Sequence, residues 1–192
     1  AERKEVLAAA MAAVRIKYEA LPALFDPAIA QATDSPVLHP QRPAGNLLIS
    51  GEIRCGDAAA ALTQTAYQVT LAVSTGWQEH AFLETQAGVA QLESDGMLTM
   101  TVSTQTPFRD RLELAEAIGV SPAKIQVIAP CLGGGFGGKD GITVQGFLAL
   151  AAMHSGGRPV KLWYSREESI LAGTKRHPLQ AEYTLGCNQA GQ

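Results

Sequence analysis

The chain has 192 residues, of which 46% are hydrophobic and 17% charged, and its formal net charge at pH 7 is −3. This composition excludes disorder for most of the chain, and the length allows one to one and a half domains with a sizeable core. An acidic balance with no basic run excludes nucleic acid and anionic membranes as favoured partners. The longest apolar stretch, residues 142–153, is too short to span a bilayer and is interrupted by Gln145. The first residues lack the layout of a signal peptide, so we expect a cytoplasmic protein.

Three cysteines, Cys55, Cys131 and Cys187, are widely spaced, and the chain contains no CxxC pair. Three thiols cannot build a four-thiolate zinc or iron–sulfur site. An odd number of distant cysteines also argues against a disulfide framework. We interpret all three as small core or loop residues.

The first third of the chain gives few regular patterns. Its predicted elements are a helix at 2–13, a strand at 14–19, a proline-rich loop at 22–45, a strand at 46–53 and a helix at 58–65 capped by Asp57. The loop is the best candidate for a domain boundary, because it has five prolines and no sustained apolar period.

Apolar and polar residues alternate more clearly in the rest of the chain. The predicted strands are 67–73, which we expect to be half-buried, two strands around the hairpin dipeptide Asp95-Gly96, and 125–128, 160–164 and 180–185. The predicted helices are one from Thr106-Pro107 to Gly119 with an apolar stripe at Leu112, Ala115 and Ile118, one at 141–154 capped by Asp140, and one ending at Gly173 with a capping box from Ser165. Residues 188–192 read as a turn without a second hairpin arm, which indicates a fragment of a longer polypeptide.

A glycine-rich loop, CLGGGFGGKD at residues 131–140, is the most distinctive feature of the sequence. Gly133, Gly135 and Gly138 satisfy GxGxxG between a predicted strand and a helix, so a Rossmann-type nucleotide-binding module is one interpretation. Gly133, Gly138 and Lys139 also fit a phosphate-binding loop, but Asp140 stands where the magnesium-binding hydroxyl is needed. A tight turn without a ligand is a third interpretation. We favour close approach of an anionic or oxo group to the loop backbone, with Phe136 as a pocket wall.

Several separate motifs resemble one family. They are the GGGFGGK loop, the segment GWQEHAFLET at 76–85, VSTQ at 102–105, the helix leading to 118–120, Arg176-His177-Pro178 and YEALPA at 18–23. Their order and spacing resemble the molybdenum-binding subunit of the xanthine dehydrogenase/aldehyde oxidoreductase family. The resemblance implies an α/β (α+β) fold with mixed sheets and helices, belonging to the molybdopterin-binding domain and incomplete at the C-terminus. It also implies that residues 1–33 end a hammerhead-like domain, that 34–45 is a linker, and that 46–192 begin the molybdopterin-binding domain.

The resemblance further implies a molybdenum-pyranopterin cofactor, in bacteria often extended by a cytosine nucleotide. The protein gives the metal no direct ligand in this family and instead supplies orientation and hydrogen bonds. By this resemblance Gln78 approaches an oxygen ligand of molybdenum, and Gly134, Gly135, Phe136 and Gly137 line the metal end of the cofactor. Gln78 and Phe136 are then the residues nearest the metal.

The reaction implied is hydroxylation of an N-heterocycle such as a purine, or of an aldehyde, with oxygen from water. Asp140 occupies the position of a substrate-facing glutamate in purine oxidisers, one methylene shorter, which puts purine specificity in doubt. The glutamate base lies downstream in the family, so we expect no catalytic residue in this chain and no activity from it alone. Iron–sulfur clusters and FAD are expected in other domains or subunits, and the full-length protein is expected to be an oligomer.

Two further interpretations stay open. One is the Rossmann-type module, and the other is a scaffold domain that keeps the family fold without its cofactor. Taken without the resemblance, Gln78 would be an exposed strand-end amide, Phe136 a core aromatic and Asp140 a helix cap. We assign no acid–base chemistry to Glu79 or Glu84, and no ligand role to His80 or His177.

Overall fold

The chain is described by a computed structural model that covers residues 3–42 and 44–192. It consists of two compact units, Ala1–Ala61 and Leu62–Gln192. Two predicted positions, Glu2 at the start of the first helix and Pro43 in the proline-rich loop, lie outside the described residues.

The first unit has little regular structure. Its helices are α1 (Leu7–Ala13), which follows a 3-10 turn, and α2 (Pro27–Ala30), while α3 (Ala58–Leu62) lies at its end. The predicted cap of α3 is confirmed, since Asp57 Oδ1 accepts a hydrogen bond from the Ala60 N–H at 3.0 Å. The helix is shorter than predicted, because it ends at Leu62 and not at residue 65.

The strands predicted at 14–19 and 46–53 are wrong. Residues 3–42 and 44–61 form no strand. Both segments keep apolar side chains in solvent, and Ile53 is 99% exposed. Alternation alone does not make a strand, because the backbone N–H and C=O groups also need a neighbouring strand.

The second unit contains a mixed four-stranded sheet in the order β4-β3-β2-β5. Its strands are β2 (Ala87–Leu92), β3 (Leu98–Val102), β4 (Ile125–Ile128) and β5 (Val160–Trp163). β2 pairs antiparallel with β3 and β5, while β3 and β4 are parallel. The hairpin predicted at Asp95-Gly96 is confirmed, with Gly96 at φ +81° and the Glu93 N–H donating to the Met97 carbonyl at 2.8 Å.

Two helices cover this sheet and form the core with it. They are α4 (Pro107–Ile118), which packs against β4, and α5 (Gln145–Met153), which packs against β2, β3 and β5. The shared buried side chains are Ala90, Leu98, Met100, Val102, Leu114, Ala115, Ile125, Val144, Leu148, Ala149 and Ala152. Removing this apolar surface from water is the main source of stability in this unit.

A separate two-stranded ribbon consists of β1 (Tyr67–Thr75) and β6 (Leu179–Cys187), paired antiparallel over nine residues. The predicted strands are confirmed, but the predicted half-burial of β1 is wrong, because every residue of β1 is exposed. The strand that pairs with β6 does not follow it in the chain; it is β1, from much earlier in the sequence. Residues 188–192 do form a turn, with the Asn188 N–H donating to the Gln192 carbonyl at 2.8 Å.

The sequence predicts the capping residues at both ends of α4 and of α6 (Arg166–Ala172), and the structure confirms three of these four predictions. Gly119 ends α4 with φ +71°. Ser165 and Glu168 form a complete capping box at α6, which ends at Gly173. Thr106 stands at the N-cap of α4, but its hydroxyl caps no N–H of that helix.

Two other predictions about helix faces are wrong. Leu112 does not belong to the buried stripe of α4, because it is 55% exposed; the buried residues are Asp110, Leu114 and Ala115. Asp140 does not cap α5, which begins at Gln145 with Val144 as its N-cap.

Among the described residues, no helix has both the length and the hydrophobicity that a membrane crossing requires. The three cysteines are free thiols; Cys55 and Cys131 are exposed and Cys187 is partly buried.

Candidate functional site

The glycine loop (residues 131–141) folds back onto the facing segment (residues 76–85), so two motifs singled out in the sequence lie together. The Glu84 N–H donates to the Gly133 carbonyl at 3.1 Å. The Gly133 N–H in turn donates to Glu84 Oε2 at 2.6 Å. Further along, Gly138 packs against His80 and Phe82 so closely that a Cβ there would lie 2.8 Å from His80 Nδ1 and 2.7 Å from Phe82 Cε1.

Lys139, near the end of the loop, has a fully enclosed side chain. Its Nζ lies 3.2 Å from Glu84 Oε2, and the two side chains are 0% and 35% exposed respectively. The same Nζ lies 4.6 Å from the centre of the Phe82 ring. Burial lowers the pKa of Lys139, while the hydrogen bond to Glu84 opposes that shift. A buried, paired lysine is not free to reach a phosphate, which contradicts the phosphate-loop interpretation.

Gln105 holds the other side of the loop. Its Oε1 accepts hydrogen bonds from the Gly137 N–H at 3.0 Å and from the Lys139 N–H at 3.3 Å. The Gln105 backbone N–H donates to the Lys139 carbonyl at 3.0 Å. A Cβ on Gly135 would collide with the Gln105 amide.

Much of the glycine content is therefore explained by neighbours within the chain. Gly133, Gly135 and Gly138 have no room for a side chain, because Glu84, Gln105 and the pair His80 and Phe82 stand against them. The sequence predicts a ligand as the cause of this composition, but at these three positions the cause is close packing within the chain. Gly134 and Gly137 have a different reason, since their φ angles are +95° and +92°.

Backbone strain is concentrated in the same two segments. Within residues 3–42 and 44–192, the non-glycine residues with positive φ are Ala81 and Phe136, both at +51°. A left-handed conformation costs an ordinary residue roughly 1–2 kcal/mol. Such strain persists where the surroundings fix the backbone, and it is most common at functional sites.

The tip of the loop is open to a ligand. In the described part of the chain, the N–H groups of Gly134, Gly135 and Phe136 donate to no acceptor. The Phe136 ring is 74% exposed, so its interpretation as a core aromatic is wrong. Three successive free N–H donors beside an exposed aromatic ring suit an anionic or oxo group.

Gln78 lies on the facing segment and is exposed. Its carbonyl accepts a hydrogen bond from the Arg176 N–H at 2.9 Å, which forms an isolated bridge between two of the sequence motifs. None of the described residues forms a hydrogen bond with the Gln78 side-chain amide. The backbone at this position is fixed while the amide remains available.

The next residue reinforces that bridge. Glu79 Oε2 lies 2.8 Å from Lys175 Nζ, and this interaction is the largest cause of a lowered pKa for Glu79. The Lys175 ammonium also donates to the carbonyls of Ile170 at 2.5 Å and Gly173 at 2.8 Å. Lys175 therefore ties the C-terminal end of α6 to the facing segment.

Asp140 is held at the rim of the loop by α4. Its Oδ1 lies 3.3 Å from Arg109 Nη1, and the Arg109 Nε lies 2.6 Å from Glu113 Oε1. These acids raise the pKa of Arg109, Glu113 more than Asp140. Asp140 does not cap α5 because residues 141–144 lie between it and Gln145, the first residue of the helix.

A buried polar network anchors the end of the loop. The Gly141 N–H donates to Thr106 Oγ1 at 3.0 Å, and that hydroxyl donates to Asp110 Oδ1 at 3.2 Å. Asp110 Oδ2 accepts from Gln145 Nε2 at 2.7 Å. Asp110 and Gln145 are both 0% exposed, so the network fixes Gly141 without using solvent.

Sequence reasoning gave no role to the residues that hold the loop, namely Glu84, Gln105, Asp110 and Gln145. Two signals could have found some of them. Gln145 interrupts the apolar run at 142–153, and Gln105 ends the VSTQ motif at 102–105. Asp110 carries no comparable signal, because an acid in the first turn of a helix is usually explained by the helix dipole.

The topology around the loop also differs from a Rossmann module. The strand before the loop, β4, belongs to a sheet whose other pairs are antiparallel. Residues 142–144 separate the loop from α5, so the last glycine of the loop does not open the helix. A dinucleotide fingerprint needs a parallel βαβ unit with the loop at the helix N-terminus.

Comparison with known proteins gives one consistent family. The family model "Molybdopterin cofactor-binding domain" matches residues 38–192. The chain is 34% identical over its whole length to a probable xanthine dehydrogenase component of Bacillus subtilis, of which it covers 25%. It is 36% identical to a nicotinate dehydrogenase large molybdopterin subunit of Eubacterium barkeri, again over its whole length and over 44% of that protein.

A solved structure agrees with the sequence relatives. Aldehyde oxidoreductase from Desulfovibrio gigas superposes with a TM-score of 0.85 over 99% of this chain and 21% of its own, at 25% identity. The mixed-sheet fold expected from the resemblance is thus confirmed, and the chain spans less than half the length of each of these relatives. The chain belongs to the molybdopterin cofactor-binding domain family found in molybdenum-binding subunits of xanthine dehydrogenases and aldehyde oxidoreductases.

Proposed function

We propose that the glycine loop and the facing segment form one side of a pocket for molybdenum-pyranopterin in a molybdenum hydroxylase. The observation that carries the proposal is the strained, open loop tip. Phe136 is held at φ +51° with an exposed ring, beside the free N–H groups of Gly134 and Gly135. A conformation that the chain maintains at a cost, with donors left unused, supports a bound anionic group there.

The residues present fit this cofactor. The carboxylates nearest the loop are already paired, Glu84 with Lys139 and Asp140 with Arg109. The groups left available are neutral donors, namely backbone N–H groups and the Gln78 amide. Neutral donors can bind oxo groups and a pterin without adding charge.

When bound, the cofactor supplies the redox centre at which an electron-poor carbon is hydroxylated with oxygen from water. The chain's own part is to bind and orient. Gln78 would donate from its amide to an oxygen at the metal, and Gly134, Gly135 and Gly137 would bring the backbone against the metal end. The Phe136 ring would limit water and orient a flat substrate.

Substrates are proposed as N-heterocycles such as purines, or aldehydes. Asp140 is the proposed substrate-facing residue, and its ion pair with Arg109 leaves it half-exposed at the rim. A carboxylate already bound to a cation is a weaker acceptor for a purine N–H, which supports a substrate class broader than purines.

We also propose the remaining architecture of the enzyme. Residues 1–33 would form the end of a hammerhead-like domain, and residues 34–45 would be a linker. Residues 46–192 would form the N-terminal part of the molybdopterin-binding domain. The cofactor would carry a cytosine nucleotide, and the base that activates water would lie outside this chain. Electrons would leave through iron–sulfur clusters and FAD in other domains or subunits of a cytoplasmic oligomer.

The test is molybdenum analysis with pterin fluorescence on the protein at its natural length, purified from its own host. Molybdenum in stoichiometric amount, oxidised-pterin fluorescence and released cytidine monophosphate are the expected results. Gln78→Ala and Phe136→Ala should lower cofactor occupancy, whereas Gln68→Ala and Tyr183→Ala, exposed residues of the β1–β6 ribbon, should not.

Absence of molybdenum and pterin, in a host that makes active molybdoenzymes, would contradict the proposal and favour a scaffold domain without cofactor. The nucleotide-binding alternative has its own readout. NADH should leave the thermal unfolding temperature unchanged, because only a ligand bound by the folded state raises it.

A further inference from the structure

One ionic interaction, between the loop and the facing segment, has no role in the proposed chemistry. Lys139 and Glu84 pair at 3.2 Å, with the lysine side chain wholly enclosed. Burying an ammonium group is unfavourable unless its partner is well placed, and an apolar pair of similar size is often at least as stable. Stability alone therefore does not explain why an ion pair occupies this position.

The geometry shows what the pair holds. A single carboxylate oxygen, Glu84 Oε2, accepts both the Lys139 ammonium and the Gly133 N–H, the latter at 2.6 Å. Gly133 begins the run of loop residues that contains the open tip, and Lys139 ends it. One oxygen atom therefore fixes the distance between the two ends of the segment 134–138.

The surroundings leave the ends of that segment little freedom. The Lys139 ammonium lies over the Phe82 ring, and Gly138 contacts Phe82 and His80 without room for a Cβ. With its ends fixed this closely, a five-residue segment must bulge outward. The left-handed conformation of Phe136 and the unused N–H groups lie on that bulge.

We propose that Glu84 and Lys139 are a positioning pair for the molybdenum-pyranopterin site: their shared hydrogen bonds hold the loop tip in its strained, donor-presenting conformation. This inference rests on the proposed function of the loop. Neither residue touches the reacting atoms. Both act through the backbone of residues 134–138, which would otherwise relax toward unstrained φ angles.

The experiment uses the natural-length protein with Glu84→Gln, Lys139→Met and the double variant, and Glu52→Gln as the control. Glu52 also forms an ion pair, at 2.6 Å to Arg54, but both partners are largely exposed. The readouts are thermal unfolding, amide hydrogen exchange of peptides covering 131–141, molybdenum content and the Mo(V) electron paramagnetic resonance spectrum.

Each single variant should lower the unfolding temperature, because it leaves a buried charge or its partner unpaired. The double variant should recover most of that loss, since no unpaired charge remains. Exchange at the Gly133 and Lys139 amides should nevertheless stay about tenfold faster than in the parent protein. The double variant should also show reduced molybdenum content and an altered Mo(V) spectrum, whereas the control should change nothing.

A double variant with parental exchange, or with parental molybdenum content and spectrum, would overturn the positioning role and leave the pair as packing alone. A parent protein without molybdenum and pterin would instead refute the proposed function. In that case, amide hydrogen exchange that is unchanged in the variants would still refute the role of the pair in holding the loop. Failure of the proposed function and failure of the positioning role can therefore be told apart.

Discussion

The four-stranded sheet and the two-stranded ribbon place the same sequence pattern in opposite surroundings. In β3, Leu98, Met100 and Val102 alternate with polar residues and are at most 3% exposed. In β1, Leu71 alternates in the same way and is 59% exposed, as is Val69.

The ribbon is ordered by pairing and by side-chain alignment. Its register sets Val69 opposite Leu185 and Leu71 opposite Tyr183, so one face is apolar while the other carries pairs such as Thr70 and Thr184. Period-two alternation therefore tells which side chains share a face. Whether that face is buried depends on whether helices such as α4 and α5 pack against it. The sequence of the strand alone does not specify this packing.

The largest expected effect separates the two regions directly. Met100→Ala should reduce the free energy of unfolding by about 2–5 kcal/mol, because it leaves a cavity beside α5 and β4. Leu71→Ala on the ribbon should cost only about 0.5 kcal/mol or less. Urea unfolding followed by circular dichroism checks both values. Equal losses would mean that the ribbon face is covered in solution, and the comparison would fail.

A second substitution extends the comparison to the glycine loop. Gly138→Ala should destabilise the chain by about 1–3 kcal/mol, because the new Cβ would overlap Phe82 and His80. Gly146→Ala is the matched control, since a Cβ on Gly146 in α5 would meet no neighbouring atom within 4 Å. That change should stabilise the helix by about 0.5–1 kcal/mol. Thermal unfolding of both variants decides the sign, and a harmless Gly138→Ala would refute the tight packing.

Two threonines sharpen the contrast between buried and exposed hydrogen bonds. Thr106→Val should cost about 1–2 kcal/mol, because it removes an acceptor from Gly141 and a donor from Asp110. Thr70→Val should cost far less, because the hydroxyls of Thr70 and Thr184, 3.0 Å apart, are exposed to water. Chemical denaturation measures both changes, and similar costs would remove the distinction between the two environments.

The smallest expected effect is the pH dependence at the bridge beside Gln78. Because Lys175 lowers the pKa of Glu79 in the folded state, the pair stabilises the fold above the usual carboxyl pKa. That stabilisation is lost as pH falls through the lowered value. Glu79→Gln should therefore remove under about 1 kcal/mol near neutral pH and flatten the acid side of the stability profile. A profile identical to that of the parent would show that the pair adds nothing.

Local chemistry was predictable wherever neighbouring residues determine it. The Asp95-Gly96 hairpin, the Ser165 capping box and the αL end at Gly119 each depend on a few adjacent residues, and each is confirmed. The predicted Asp140 cap is wrong, since α5 begins only at Gln145, whose side-chain amide bonds to Asp110, 35 residues earlier in the chain.

The same distinction applies to the candidate site. Family resemblance found the loop and the facing segment, and the structure brings them together. The atoms that make Gly133 and Gly138 necessary belong to residues about 50 positions earlier in the chain. No local pattern reports such a neighbour, so the close packing and the Glu84–Lys139 pair emerge only from the folded chain.

The enclosed Lys139 has a consequence for proteolysis. Exposed, glycine-rich loops are usually the first places that a protease cuts. Trypsin, however, must draw a lysine side chain into its own pocket, and Lys139 is wholly enclosed while paired with Glu84. Native trypsin digestion should thus spare the bond between Lys139 and Asp140 until the unit unfolds, so the appearance of that cut reports opening of the loop.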